Sequence, residues 1–125
     1  MKLRPASRRA AFTLVEIMIV VGIIGLLAAL AIPNITKNRE TAQLNGLLSN
    51  LRVIDNAKDL WALETNKGTG DTPTPDEIKV YLRNNEMPRP VVGETYTINP
   101  VGTPAFAVTS RKLGTNAPGV EIRAP

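Results

Sequence analysis

One carboxylate stands in a run of residues that otherwise offers no polar chemistry. From Phe12 to Pro33 the chain reads FTLVEIMIVVGIIGLLAALAIP, and Glu16 is the only charged residue within it. As a helix, this run would extend about 32 Å at ~1.5 Å per residue, the thickness of a bilayer's hydrocarbon core. A carboxylate at the centre of such a span costs roughly 2.5–3.5 kcal/mol on insertion scales, so it ordinarily has a partner. The chemistry open to Glu16 is charge pairing, and its partner is the first question the sequence poses.

Few other reactive groups are present. The 125 residues include neither cysteine nor histidine, which excludes disulfides, thiol catalysis and histidine-based metal sites. No nucleophile constellation or phosphate-binding loop is present, and Gly68-Thr69-Gly70 is too short to cradle a phosphate. Asp71, Asp76 and Glu77 suggest calcium only in isolation, because the later loops add just Glu94 and Glu121. Arg111-Lys112 has no aromatic neighbours in sequence and reads as solvated surface, not as a nucleic-acid contact. The chain is therefore expected to be no enzyme, with no cofactor, no metal and no nucleic-acid partner.

The net charge of +4 is local. Lys2, Arg4, Arg8 and Arg9 account for it, and from Phe12 onward acidic and basic residues balance. A basic cluster beside an apolar span is a topology signal, holding the N-terminus in the cytoplasm while the remainder crosses. Three readings of this region compete. In the first, a conventional signal peptide is cut after Ala31 within Ala29-Leu30-Ala31, releasing a small soluble domain. In the second, the segment is a plain single-pass anchor, which leaves Glu16 without a purpose.

The third rests on the string RRAAFTLVEIMIVVGIIGLLAALAIPN, which resembles the N-terminal signature of type IV prepilins and type II secretion pseudopilins. The resemblance implies that a prepilin peptidase cuts between Ala11 and Phe12 and that Phe12 becomes the N-methylated first residue. Ala11 stands where the family usually has glycine. Glu16 matches the family's acidic residue and Pro33 its helix-bending proline, with Gly22 and Gly25 as further positions of bending. The implied partners are the peptidase, identical or homologous pilin subunits and an inner-membrane assembly platform. The implied location is the inner membrane, single-pass, with a periplasmic headgroup that later enters a secretion pseudopilus or pilus-like filament. Cleavage would create an amine at Phe12, one i,i+4 step from Glu16 along a helix. An internal pair is thus conceivable, and so is a pair with a neighbouring subunit; the resemblance favours the neighbour.

The elements that must position these residues follow from periodicity. Leu44, Leu47, Leu48, Leu51, Ile54, Ala57 and Trp61 recur at helical spacing, with Arg52, Asp55 and Asp59 assigned to the opposite face. Gly46 within this stripe predicts a slight bend or a close contact. With the apolar span the helix would run about 55 residues, to about Asn66, with Gly68 as its stop. Thr74, Pro75 and Glu77 predict a capped second helix over about 75–83, with Ile78, Tyr81 and Leu82 facing inward. Alternation over Glu94–Asn99 and Ala105–Thr109, then Val120–Ile122, predicts a small antiparallel sheet over about 94–122. In it, Tyr96 and Ile98 are placed on one face, and Phe106 and Val108 likewise. The fold class is α+β: a long N-terminal helix, half membrane and half amphipathic, on a short helix and a C-terminal sheet, as in pilins. The parts are a leader (1–11), a membrane and assembly segment (12–33) and a headgroup (34–125).

Overall fold

The computed structural model describes residues 11–125, so Lys2, Arg4, Arg8 and Arg9 of the expected leader lie outside the described residues. The chain divides into two compact units, Met1–Thr36 and Lys37–Pro125. A 51-residue helix, α1 (Leu14–Glu64), supplies most of the first and opens the second. In the first unit the helix runs unbroken through Gly22, Gly25 and Pro33. Pro33 has no N–H to donate to the preceding turn. Just beyond it, the Thr36 hydroxyl donates to the Ile32 carbonyl at 3.3 Å.

In the second unit, α1 buries one stripe: Leu47, Leu51, Ile54, Ala57, Lys58, Trp61 and Ala62. The apolar members join Ile78, Leu82, Ala105, Ala107, Leu113 and Ile122 in a single core. This is the amphipathic helix the spacing predicts, and its Leu/Trp stripe faces that core. A Cβ on Gly46 would lie 3.3 Å from a Val91 methyl, so the glycine marks the expected close contact. Asp55 departs from expectation. It is turned inward, while Arg52 and Asp59 are exposed.

The helix ends at Glu64, and the residue that closes it is Asn66, not Gly68. Asn66 adopts a left-handed φ of 54°, and the Lys67 N–H reaches back to the Ala62 carbonyl at 2.9 Å. That six-to-one bond is a Schellman closure, and asparagine tolerates the left-handed region better than most residues. Gly68 instead donates its N–H to the Asp71 carboxylate at 2.9 Å.

Helix α2 (Pro75–Lys79) begins as predicted, with Thr74 and Glu77 forming both halves of a capping box. It is shorter than the span to about 83. After it, Arg83–Asn85 forms a 3-10 turn in which Asn84 and Asn85 take φ of 61° and 55°. Ile78 and Leu82 are buried, whereas Tyr81 is half-buried.

Three short strands, β1 (Thr95–Thr97), β2 (Phe106–Val108) and β3 (Glu121–Arg123), form an antiparallel sheet in that order. The register aligns Tyr96 with Ala107 and Ala107 with Ile122, and this row faces the core. Phe106 and Val108 therefore lie on the opposite face from Tyr96, contrary to the predicted pattern. Beside this strand the Ala105 N–H donates to Asp55 of α1 at 2.9 Å. So close an approach leaves room for methyl-sized side chains, and Ala105 and Ala107 are fully buried there. Phe106 instead packs under the Arg123 guanidinium, 5.5 Å from the ring centre, a cation–π contact.

Candidate functional site

In the first unit the apolar run has no cover. The large apolar side chains from Phe12 through Ile35 are exposed, and none of the span long and apolar enough to cross a membrane is buried. Contiguous apolar surface on this scale marks a membrane or protein interface. Ala11 and Phe12 precede the helix, and Phe12 is 76% exposed.

The helix start changes the expected geometry around Glu16. Thr13 is its N-cap: the Thr13 carbonyl accepts the first helical bond, from Ile17 N–H at 3.3 Å. Its hydroxyl accepts from the Glu16 N–H at 3.2 Å, and the Glu16 carboxylate accepts from the Thr13 N–H at 3.5 Å. This reciprocal pair is a capping box. Phe12 thus lies outside the helix, so the i,i+4 step between Phe12 and Glu16 does not exist here. The structure brings Glu16 to Thr13 instead. Thr13-Leu14-Val15-Glu16 is itself the S/T-x-x-E signature of a helix start, the local signal that marks Thr13. Glu16 in the first turn also complements the partial positive charge of the helix N-terminus.

Two polar clusters in the second unit are absent from the sequence reading. Lys58 is 2% exposed, and its ammonium donates to Asp55 at 2.8 Å and to the Thr103 carbonyl at 2.6 Å. Asp55 Oδ1 also accepts from Ala105, so one ion pair fixes the loop before β2 to α1. The second cluster is built on Glu94, which is buried. It accepts from the Val91 and Val92 N–H groups at 2.9 and 2.8 Å and from the Tyr96 hydroxyl. Asn50 of α1 donates to the Tyr96 oxygen at 2.8 Å. Burial pushes the Glu94 carboxyl up, but these donors outweigh it and hold the group below its ordinary range. Burial, and then the bond to Glu94, push the Tyr96 phenol well above its ordinary value.

Three further acids act locally. Asp76 pairs with Lys79 at 2.7 Å, Glu77 caps α2, and Glu121 pairs with Arg123 at 2.7 Å. Among the described residues, no three His, Cys, Asp or Glu side chains gather to hold a metal ion. Arg111 and Lys112 are exposed in a bend after β2.

Comparison with known proteins points to the same end of the chain. Residues 6–32 match the family model described as the prokaryotic N-terminal methylation motif. The chain is 38% identical over 60 residues to type II secretion system core protein G of Aeromonas hydrophila, covering 48% of this chain and 42% of that protein. With the Vibrio cholerae protein of the same name it shares 31% over 90 residues, 70% of this chain and 59% of the relative. With the competence protein ComGC of Streptococcus pneumoniae it shares 39% over 83 residues, 61% of this chain and 77% of the relative. The chain thus spans under half the length of the Aeromonas relative and three quarters of the streptococcal one. No solved structure gives a significant match.

Proposed function

Because this chain belongs to the family of type IV prepilins and type II secretion pseudopilins, we propose that it is cleaved between Ala11 and Phe12 by a prepilin peptidase, methylated at Phe12, and assembled through α1 into a type II secretion pseudopilus or pilus-like filament. The observation that carries this reading is the uncovered apolar surface of α1, bearing a single carboxylate at its start. A lipid bilayer covers that surface before assembly, with the basic leader in the cytoplasm and the second unit in the periplasm. Other subunits cover it afterwards.

Glu16 supplies the charge that sets register between subunits. Cleavage leaves an amine on Phe12, at the positive end of its own helix dipole, where a cation is disfavoured. The Glu16 carboxylate of a neighbour neutralises that amine. The structure supports a neighbour over an internal pair in one respect: Phe12 stands outside the helix, and Glu16 caps Thr13. Its other carboxylate oxygen has no hydrogen bond among the described residues and is open to an incoming amine. Gly22, Gly25 and Pro33 are the positions at which we place bending of α1 during assembly. The inner-membrane platform and sibling subunits are the partners this reading requires.

The decisive measurement is the intact mass of the mature protein from membrane and filament fractions of the native host. Loss of residues 1–11 with gain of one methyl group is expected. Recovery of only the full-length chain would overturn the proposal, and an N-terminus at Ile32 would establish release by a conventional signal peptidase. Ala11→Gly should be processed at least as fast as the wild type.

A further inference from the structure

The second unit carries a knob and a groove of opposite character. The knob is on the outer face of α1, where Leu60 and Leu63 are adjacent at helical spacing. Leu63 is 79% exposed, more than any other large apolar side chain of this unit. Asp59 and Glu64 flank the two leucines. Asp59 makes no ion pair among the described residues, and Glu64 accepts only the Tyr81 hydroxyl. The groove, about 380 Å³, has Val53, Met87 and Pro88 as its apolar walls, with the buried Leu82 behind them. Arg83 and Arg89 line it too, with Glu86 as its one acid, and neither arginine is ion-paired among the described residues.

We propose that the acidic leucine knob of one copy docks in the arginine-lined groove of the next. The occupant is a second copy of this chain because each copy presents both halves of the match, apolar against apolar and acidic against basic. In the filament reading the contact is heterologous, so a copy seated in one groove still offers its own groove. Such contacts extend into open filaments and do not close into pairs. The inference rests on the filament reading above and names the headgroup surfaces that this filament uses.

The chain has no cysteine, so paired cysteines report the contact without background. Leu63→Cys and Glu86→Cys replace exposed side chains, one in the knob and one in the groove. Placed together in the full chain and oxidised in assembled filaments, they should give a ladder of crosslinked multimers, whereas either substitution alone should give monomer. Asp59→Lys should reduce crosslinking at least fivefold, and Arg83→Glu with Arg89→Glu in the same chain should restore most of it. Filaments that form without a ladder, or crosslinks that stop at the dimer, would overturn the docking and leave the filament reading standing. A wild-type chain that forms no filament brings down both.

Discussion

Removing the Glu16 carboxylate should separate membrane insertion from assembly. Glu16→Leu makes the span more apolar, so insertion becomes easier, and the Ala11–Phe12 junction is untouched. On the proposed pairing, what disappears is the counter-charge for a Phe12 amine buried among packed helices, and an unpaired buried charge costs about 3–5 kcal/mol. Cleaved, membrane-resident protein that is missing from sheared filament fractions is the expected outcome; normal filaments would refute the pairing. Glu16→Asp should fall between, its carboxylate reaching less far. In the second unit the Lys58–Asp55 pair is asymmetric, and its variants should show it. Asp55→Ala strands a buried ammonium and should cost about 3–5 kcal/mol. Lys58→Met leaves Asp55 23% exposed and still bonded to Ala105, so about 1–3 kcal/mol is expected. Equal losses in urea unfolding would show that Lys58 acts through packing alone. Lys58 was illegible as a core residue because its burial depends on a loop carbonyl 45 positions along the chain, and no local pattern carries that.

At the scale of elements, the Glu94 cluster joins the approach to β1 with α1 through Tyr96 and Asn50. The Glu94 carboxyl lies below its ordinary value of 4.5 in the fold. Its stabilisation is therefore complete above that pH and lost as pH falls through the lower folded value. Wild type should unfold at higher temperature than Glu94→Gln at neutral pH, and the gap should close on acidification. A gap independent of pH would mean the carboxylate's charge is not what the cluster uses. What sequence disclosed about the elements follows their length and local chemistry. The α1 stripe repeats over several turns, and the Thr74–Glu77 cap lies within four residues, so both were readable. A three-residue strand holds too few alternations to fix a face. Size is no guide either: Phe106 and Val108 are the larger side chains, yet the close approach of Ala105 to Asp55 reserves the inner face for alanines. At Asn66 two stop signals stood two residues apart, and the closure to Ala62 selected the one nearer the helix.

At the scale of the whole molecule, the core belongs to the second unit and uses nothing from the apolar span. Deleting Met1 to about Asn34 should leave a soluble monomer with cooperative unfolding. In that fragment Trp61→Ala should cost about 3–5 kcal/mol by urea titration, because the indole is buried among α1, α2 and the sheet. Aggregation of the fragment, or a loss below about 1 kcal/mol, would contradict the core described above. The Lys58 tether also bears on how the headgroup responds to its surroundings. A loop fixed to a helix by a bound ion is only as secure as the supply of that ion, and dilution or a chelator releases it. Here the cation is covalently part of α1, so the tether has no dissociation constant to satisfy. Its local concentration is the same whatever medium surrounds the headgroup.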